Sequence, residues 1–343
     1  MHRSLRLSVE RQALIANWRW LQDRAGVPAG AAIKANGYGL GAHEAMTALA
    51  RAGCRDFFVS TYAEAEELGP LAEGLSLAVL HGPQPADHAV ALASVARPVL
   101  NSVEQVARWR EIAPGRACDV MVDTGMNRLG LRVGETGALA GLTIDTLHSH
   151  LACADEDSPV NLRQLEAFSD LATAISAKRY SLANSAGICL GRDFSFDLVR
   201  PGLALYGGIP RSEAGGQIVQ VARVEAQVVQ RRTIRAGESC GYGCTFTAET
   251  DTQAAIINVG YADGYLRGFS SRGEALAGER KLPVLGRVSM DLTAVGCDSA
   301  PELKEGDWVE LNYDLLSAAA ASGLSQYELL TSLGSRFERR WTN

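Results

Sequence analysis

One lysine stands where a short apolar run meets a glycine-rich turn, and its side chain can do chemistry there. Lys34 lies in the segment AAIKANGYG, directly after three apolar residues. An amine at the end of a buried strand is partly desolvated, which lowers its pKa and favours attack on a carbonyl to form an imine. A solvated surface lysine is the alternative interpretation. By itself the feature only suggests a nucleophile.

Other polar side chains end predicted strands in the same way. They are a histidine, two arginines and an Asn-Ser pair, namely Arg128, His150, Asn184, Ser185 and Arg200. In a β/α barrel the active site lies at the carboxyl ends of the strands, so we expect these residues to meet Lys34 at one mouth. Such a cationic mouth suits an anionic ligand, a phosphate or a carboxylate. It offers no obvious metal ligands, and we predict no metal site.

The elements that would position these residues alternate along the first two-thirds of the chain. Short apolar runs predict strands at Ala31–Lys34, Asp56–Ser60, Ser76–Leu80, Pro98–Leu100, Ala117–Asp123, Ile144–His150, Tyr180–Ala183 and Phe196–Arg200. Amphipathic stretches between them predict helices at Ala42–Arg51, Val103–Ile112 and Leu162–Ile175. Asn101 or Ser102 would cap the second helix. Apolar strands alternating with helices predict parallel pairing, and about eight such units fit a closed β/α barrel.

After Gly207-Gly208 the pattern changes to alternating apolar and polar residues. The runs that predict strands there are Ile218–Val224, Ala255–Val259, Leu282–Leu285 and Trp308–Leu311. Glycine-rich turns separate them, which indicates a smaller and mostly antiparallel β-domain. Helices near Leu315–Ser322 and Ser325–Leu333 close the chain. We assign residues 1–215 to a barrel domain and 216–343 to a C-terminal β-domain.

Composition limits the classes of protein to consider. The chain has 343 residues, of which 47% are hydrophobic and 21% charged, so a disordered or fibrous protein is excluded. A net charge of −6 argues against a nucleic-acid-binding protein. No apolar run is long enough to span a membrane, and no secretory leader is visible. Seven cysteines without a CxxC pattern indicate reduced thiols and a cytoplasmic location.

Eight short motifs together resemble those of the alanine racemase family. In the family's order they are AAIKANGYGLGA at Lys34, VDTGMNRLG at Arg128, HSHLACAD at His150, LANSAG at Asn184, VRPGLALYG at Arg200, GYGCTF at Tyr242, VGYADGY at Tyr261 and GRVSMD at Asp291. They cover essentially the whole chain. The resemblance implies a β/α barrel that holds pyridoxal 5′-phosphate, followed by a β-domain. It also implies interconversion of L- and D-alanine for peptidoglycan precursors.

Racemisation removes the α-proton from one face of the substrate and replaces it on the other, so two bases and an electron sink are needed. The resemblance implies that Lys34 forms an imine with the cofactor and then acts as one base. Tyr242 is implied to act on the opposite face. A phenol is a poor base at neutral pH unless a charge or a hydrogen bond stabilises the phenolate. His150 resembles the residue that contacts this tyrosine, and Arg200 resembles the residue that contacts both the histidine and the cofactor's ring nitrogen.

The resemblance also implies binding residues. Those for the cofactor are Lys34, Tyr38, Asn184, Ser185, Arg200, Gly202, Leu203 and Tyr327. Those for the substrate are Arg128, Met290, Tyr261 and Asp291. In the family the second domain reaches the barrel of the other subunit, so a head-to-tail homodimer with shared active sites is implied. No nucleic-acid or membrane partner is expected.

One position departs from the family. Many members have a carbamate-bearing lysine seven residues before the arginine that matches Arg128, and here that place is Met121. Methionine cannot form a carbamate, so either an anion such as chloride takes that place or Arg128 is held differently. His148, the first histidine of HSH, matches no family role, and we predict core packing for it.

Three functions are alternatives to alanine racemisation, which is the first hypothesis. A racemase of the same fold acting on serine or a wider range of amino acids is the second hypothesis. A barrel-type amino-acid decarboxylase is the third, but Arg200 and the GYGCTF motif argue against it. A single-barrel cofactor carrier is the fourth, and it would lack the second domain.

Overall fold

The computed structural model describes residues 3–343, which form two compact units. The barrel unit comprises Leu14–Tyr38 and Ala42–Val219. The sheet unit comprises the described residues up to Ala13, the short segment Gly39–Gly41 and Gln220–Asn343.

Seven parallel strands, hydrogen-bonded in chain order, build the barrel unit. They are Ala31–Ala32, Asp56–Val59, Ser76–Val79, Arg97–Leu100, Cys118–Asp123, Ile144–His148 and Arg179–Ser181. A further short strand, Leu131–Arg132, pairs in parallel with Cys118–Asp123. Parallel neighbours with apolar, buried strands require helices to cover them, as the sequence pattern predicted. The α/β barrel class is confirmed.

The segment predicted as the eighth strand closes the barrel without forming a regular strand. Val199 makes an isolated parallel bridge to Ala29, and its carbonyl accepts from the Gly30 amide at 2.9 Å. On the other side the Arg200 amide donates to the Ala183 carbonyl at 2.9 Å. Phe196 has a left-handed φ of 51°, which interrupts the extended backbone. The predicted strand Phe196–Arg200 is therefore wrong, although its place in the ring is right.

Helices surround the parallel strands. Those of this part of the chain are Arg11–Ala25, Ala42–Ala52, Tyr62–Glu67, His88–Ala93, Val103–Ile112, Pro159–Ala174 and Ser185–Leu190. Short 3₁₀ turns occupy Pro85–Asp87, Val133–Leu139, Arg192–Phe194, Leu203–Tyr206 and Ser212–Ala214. The Ser102 hydroxyl caps Val103–Ile112 by accepting from the Gln105 amide.

The sheet unit is mostly antiparallel. Its main strands are Leu5–Glu10, Ala222–Ile234, Thr252–Ile257, Glu274–Ala277, Arg280–Pro283, Thr293–Gly296, Trp308–Leu311 and Glu338–Thr342. The first of them pairs antiparallel with Ala222–Ile234 and parallel with the last. A separate hairpin joins Ser239–Cys240 to Phe246–Thr247. Helices Leu315–Ser322 and Gln326–Thr331 and the 3₁₀ turns Tyr242–Cys244, Tyr261–Asp263 and Arg267–Phe269 complete the unit.

Each unit has an apolar core of its own. In the barrel unit one cluster is formed by Phe58, Ala78, Val99, Met121 and Leu198. These side chains come from neighbouring segments of the ring, so the barrel interior is packed rather than open. A cluster in the sheet unit is formed by Ile234, Ala248, Ala254 and Leu285. All seven cysteines are free thiols. Across residues 3–343 no helix combines the length and the apolar character that crossing a bilayer requires.

Candidate active site

Lys34 begins an unusual left-handed turn that follows the first barrel strand. The four residues after it, Ala35–Tyr38, have φ values of 52°, 52°, 61° and 54°. Only one of the four is glycine, and the left-handed region costs other residues free energy because Cβ crowds the carbonyl oxygen. The Gly37 amide donates to the Ile33 carbonyl at 2.8 Å, and the Asn36 side chain accepts from the Ala42 amide at 3.0 Å. Strained backbone of this kind clusters at functional sites.

The amine of Lys34 lies among charged side chains of the barrel unit. Burial lowers the pKa of Lys34, and the positive charges of Arg128 and Arg200 act in the same direction. The carboxylate of Glu64 opposes them. An amine that gives up its proton more easily is a better nucleophile and a better base near neutral pH.

His150 belongs to the same electrostatic group. Burial lowers the pKa of His150 to about 3, and the positive charges of Arg200, Arg128 and Lys34 contribute. The imidazole is therefore neutral at pH 7, and one ring nitrogen donates while the other accepts. The barrel unit thus brings Lys34, Arg128, His150 and Arg200 within electrostatic reach of one another.

Arg200 is buried, with only 7% of its surface exposed. Its guanidinium donates to the hydroxyl of Ser181 and, at 2.6 Å, to the carbonyl of Ser149. Burial lowers the pKa of Arg200 to about 10, and the negative charge of Asp119 opposes this. The guanidinium therefore keeps its charge at neutral pH and presents hydrogen-bond donors only.

A close-packed backbone cradle lies beside the Lys34 turn. The Ser185 hydroxyl accepts from the amides of Gly202 at 2.9 Å and Ala204 at 3.2 Å. A Cβ on Gly202 would overlap the hydroxyl of Tyr38 and would lie 2.8 Å from its Cζ. The Tyr38 ring stacks on Tyr206 with centroids 4.8 Å apart. Tyr38, Ser185 and Gly202, each predicted to bind the cofactor, therefore meet in space.

Two more predicted cofactor residues flank this cradle. The Asn184 side chain accepts from the Gly187 amide at 2.9 Å and so caps Ser185–Leu190. Leu203 is buried and begins the 3₁₀ turn Leu203–Tyr206. Its side chain packs inside the barrel unit, so only its backbone is available to a ligand.

Arg128 lies on an exposed loop after the strand Cys118–Asp123. The Asp123 carboxylate accepts from the amides of Gly125 at 2.7 Å and Met126 at 2.8 Å. Asp123 therefore shapes the loop that carries Arg128. Within residues 3–343 no ion pair joins the two side chains.

Met121 occupies the place where many family members have the modified lysine. Its side chain is buried in the apolar cluster with Phe58 and Leu198. A Cβ on Gly130 would lie 3.0 Å from Met121 Cγ, so the methionine packs closely under the loop that carries Arg128. Apolar packing replaces a charged group at this position.

In the sheet unit, the residue predicted as the second base is largely exposed. Tyr242 lies in the turn between Ser239–Cys240 and Phe246–Thr247, and 66% of its surface is exposed. Tyr327, on the helix Gln326–Thr331, is 46% exposed. Both side chains lie where a further chain or ligand can reach them.

The sheet unit also brings together Tyr261, Met290 and Asp291, which were predicted to bind the substrate. The Tyr261 amide donates to the Ser289 carbonyl at 3.0 Å, and the Ala262 amide donates to the Met290 carbonyl at 3.0 Å. The turn Tyr261–Asp263 therefore lies directly against the segment that carries Met290 and Asp291. The guanidinium of Arg267 lies 5.4 Å from the centre of the Tyr261 ring.

Arg336, which was not predicted from the sequence, forms ion pairs with both of these segments. Its guanidinium pairs with Asp263 at 2.6 Å and with Asp291 at 2.7 Å. Asp263 is buried, and burial raises the pKa of its carboxyl although Arg336 opposes this. The two aspartates belong to the two segments that carry Tyr261 and Met290, so one arginine fixes their relative position.

Sequence reasoning also missed a buried carboxylate inside the barrel. Asp119 accepts from Arg97 Nε at 3.0 Å and from the Thr146 amide at 3.1 Å, and it lies 3.4 Å from His148 Nε2. Burial lowers the pKa of His148 to about 4, so the ring is neutral at pH 7. His148 is fully buried, as predicted, but it has a polar partner that the strand pattern does not reveal.

Both halves of the chain match models of known domains. Residues 9–210 match the alanine racemase N-terminal domain, and residues 221–341 match the alanine racemase C-terminal domain. The chain belongs to the alanine racemase family. Curated alanine racemases support this at high coverage. Those of Jannaschia sp. (strain CCS1) and Acidiphilium cryptum are 42% and 40% identical to this chain over 98% and 97% of it, and over 98% and 97% of their own lengths.

Solved alanine racemase structures have the same fold over the whole chain. The Bartonella henselae enzyme, which carries covalently bound pyridoxal phosphate, is 36% identical with a TM-score of 0.92 and 99% coverage of each chain. The biosynthetic enzyme of Pseudomonas aeruginosa is 32% identical with a TM-score of 0.91, and each chain is covered completely.

The residues of the barrel unit fit pyridoxal 5′-phosphate. An aldehyde forms an imine with an uncharged amine, and the lowered pKa of Lys34 favours that form. A phosphate is bound by hydroxyl and backbone amide donors, and Tyr38, Ser185 and Gly202 bring such groups together. The positive charges of Arg128 and Arg200 near the amine suit an anionic ligand.

Proposed function

We propose that this chain is an alanine racemase that interconverts L- and D-alanine with pyridoxal 5′-phosphate as cofactor. The observation that carries the proposal is the group formed by Lys34, Arg128, His150 and Arg200 in the barrel unit, in a chain whose two halves both match the family. An amine of lowered pKa surrounded by guanidinium groups is suited to an amino-acid substrate, whose carboxylate is negative. When bound, the cofactor supplies an electron sink for the negative charge left at the substrate's α-carbon.

Two bases perform the proton transfers. The Lys34 amine, whose pKa burial and the neighbouring arginines lower, accepts or returns a proton on one face of the substrate. We assign the opposite face to the phenol of Tyr242, as the family motif implies. Neutral His150 supplies a hydrogen bond to that phenol, and Arg200 holds a fixed positive charge behind it.

Arg200 has a second task in this proposal. Its guanidinium keeps all its protons at neutral pH, and it is held by Ser181 and Ser149. As the family motif implies, Arg200 would face the cofactor's ring nitrogen, and because it presents donors only it would hydrogen-bond that nitrogen without giving it a proton. The electron sink that the cofactor supplies would then be weaker, which would favour return of the proton to the α-carbon over side reactions.

The remaining predicted residues bind the two ligands. We propose that the cofactor's phosphate is held by Tyr38, Asn184, Ser185, Gly202, Leu203 and Tyr327. We propose that Arg128 and the Met290 backbone bind the substrate's carboxylate, since a planar guanidinium matches a carboxylate well. We also assign Tyr261 and Asp291 to substrate binding, and Arg336 holds the two segments that carry them through its pairs with Asp263 and Asp291.

We infer that the enzyme acts as a head-to-tail homodimer in which Tyr242 serves the partner's barrel. The exposure of Tyr242 and Met290, at 66% and 53%, supports this, because large apolar side chains exposed to water often mark an interface. We also place the protein in the cytoplasm, where D-alanine for peptidoglycan would be made. Seven free thiols are consistent with a reducing compartment.

One assay tests the proposed activity. Purified protein with bound cofactor is incubated in deuterium oxide with L-alanine or L-serine, and chiral chromatography and proton NMR follow inversion and loss of the α-proton. We expect inversion of alanine with deuterium at the α-carbon and at least about a tenfold preference for alanine over serine, since one hydroxyl is worth about that much in a small pocket. Release of carbon dioxide, or no α-proton exchange with either substrate, would contradict the proposal.

A further inference from the structure

The left-handed turn after Lys34 is fastened by a carboxylate that the reaction scheme above does not use. Oε1 of Glu64 accepts from the Ala35 amide at 2.8 Å, directly beside Lys34. Oε2 of the same side chain accepts from the Ser60 amide at 2.6 Å. One carboxylate therefore ties the end of the first barrel strand to the end of the second.

Glu64 is itself held in place by the helix on which it lies. It is the third residue of the helix Tyr62–Glu67, and its amide donates to the Thr61 hydroxyl at 3.2 Å. Its carboxylate reaches back to the Thr61 amide, which completes a capping box. A capping box satisfies the helix end with one carboxylate oxygen, and here the second oxygen is left to bind the Lys34 turn.

The turn needs such a fastening because its backbone is unfavourable. Ala35, Asn36 and Tyr38 are all left-handed although none is glycine. Conformations of this kind persist only when the surroundings over-determine them. A charged acceptor on the Ala35 amide is a strong restraint, since hydrogen bonds to ionised groups are about twice as strong as neutral ones.

The charge of Glu64 also faces the amine. The charged groups that act on Lys34 are Arg128, Arg200 and Glu64. The two arginines are cations and Glu64 is the one anion among the three, while His150, on which Lys34 itself acts, is neutral at pH 7. Its negative charge opposes the lowering of the Lys34 pKa by its surroundings.

We propose that Glu64 is a positioning residue for Lys34, which fixes the turn that aims the amine and sets how readily the amine holds a proton. The inference rests on the proposed function in one respect, namely that Lys34 is the base. A base that must both accept and return a proton works best when its proton affinity is neither too low nor too high. Three neighbouring residues therefore set this balance, two arginines that lower the affinity and one glutamate that raises it.

Competitive acylation of lysines in the full-length chain, after the cofactor has been removed, tests the proposal. The sequence has only four lysines, and Lys178 and Lys281 expose about two-thirds of their side chains, so they serve as internal references. Trace acetic anhydride is applied at a series of pH values, and mass spectrometry gives the relative reactivity of each amine. In Glu64→Gln we expect the Lys34 curve to move to lower pH, so that labelling at pH 7.5 rises at least twofold relative to the references.

The control variant is Glu67→Gln on the same helix, where the side chain is exposed, and its Lys34 curve should match that of the original protein. Glu64→Asp keeps the charge, and we expect it to return the curve most of the way. If circular dichroism shows that Glu64→Gln does not fold, Glu64→Asp is the variant whose Lys34 curve is measured in its place. If Glu64→Gln is folded and its Lys34 curve is unchanged, or if Glu67→Gln shifts it equally, the proposal is wrong.

This measurement is independent of catalysis. Borohydride reduction of the cofactor-loaded protein, followed by peptide mapping, tests separately whether Lys34 carries the cofactor. If the Lys34 curve shifts but borohydride does not attach the cofactor to Lys34, the proposed function is contradicted and the inference about Glu64 stands. If borohydride attaches the cofactor to Lys34 but the curve is unchanged, only the inference about Glu64 is contradicted.

Discussion

At the scale of single residues, burial decides which groups of the barrel interior carry charge at neutral pH. Arg200 keeps its proton although burial lowers its pKa to about 10, whereas His150 is neutral because burial lowers its pKa to about 3. The site therefore holds a permanent cation within electrostatic reach of a neutral imidazole. This division suits a mechanism in which the arginine only donates and the histidine only relays a hydrogen bond.

The buried His148 gives a pH dependence whose sign is fixed. Its pKa is about 4 in the folded chain against an ordinary value of 6.5. Below pH 6.5 the unfolded chain binds a proton that the folded chain does not bind until about pH 4, so the free energy of unfolding falls as the pH is lowered through this range. For this residue alone the loss between pH 7 and 4.5 is about 2 kcal/mol.

Replacing His148 with Gln should remove this loss of unfolding free energy at low pH. The glutamine side chain does not titrate in this range, and its amide can still donate a hydrogen bond to Asp119. We expect the difference in unfolding free energy between pH 7 and 4.5, measured with urea, to shrink by about 2 kcal/mol. The exposed His43, changed to Gln, is the matched control and should leave the difference as it was. Equal pH dependence in His148→Gln and the original protein would show that His148 is not held neutral.

At the scale of elements, the cradle beside the Lys34 turn depends on one close backbone approach. Gly202 begins the segment that runs under Tyr38, and a Cβ there would overlap the tyrosine hydroxyl. Tyr38 cannot move away easily, because it stacks on Tyr206 and ends the left-handed turn. The geometry therefore requires glycine at this position.

We expect Gly202→Ala to displace Tyr38, to destabilise the protein by about 1–3 kcal/mol and to weaken cofactor binding by about tenfold. Gly134→Ala is the control, since nothing lies within 4 Å of a Cβ at that exposed glycine. Thermal unfolding and titration of the cofactor-free protein with pyridoxal 5′-phosphate measure the two effects. If both alanine variants bind the cofactor equally well, the cradle is not its phosphate site.

Local sequence pattern predicted many elements of this fold. The helices Val103–Ile112 and Leu315–Ser322 have the predicted bounds, because periodicity and capping agree there. Phe196–Arg200 failed as a strand because Phe196 has a left-handed φ that interrupts the extended backbone, and an apolar run does not reveal this. Some predicted strands end too late. The strand predicted at Ile144–His150 ends at His148, two residues earlier, because the backbone leaves the hydrogen-bonded ladder there.

The side chains that support the site were harder to predict than those that form it. Ala35 and Glu64 are 29 residues apart, as are Asp119 and His148, and Arg336 is 73 residues from Asp263. The first two pairs form only when neighbouring barrel strands align, and the third forms only when two distant segments of the sheet unit meet. Only Glu64 left a local signal, since Thr61 three residues before it forms a capping-box pattern.

At the scale of the whole molecule, the proposal requires two chains. The sheet unit exposes three large side chains, namely the proposed site residues Tyr242 at 66% and Met290 at 53%, and Leu292 at 41%. Large exposed apolar side chains often mark an interface, and this supports the proposed contact with a second copy. The central claim is that Lys34 of one subunit and Tyr242 of the other form one active site.

Mixing two inactive variants tests this claim most directly. Lys34→Ala and Tyr242→Phe are each expected to racemise alanine very slowly, since each lacks one base. After joint unfolding and refolding in equal amounts with cofactor, half of the dimers are hybrids. If the partner subunit's Tyr242 serves each barrel, one site in every hybrid is intact, and the mixture regains about a quarter of the original activity. If native mass spectrometry shows hybrids and the mixture stays as inactive as its components, the shared site is contradicted.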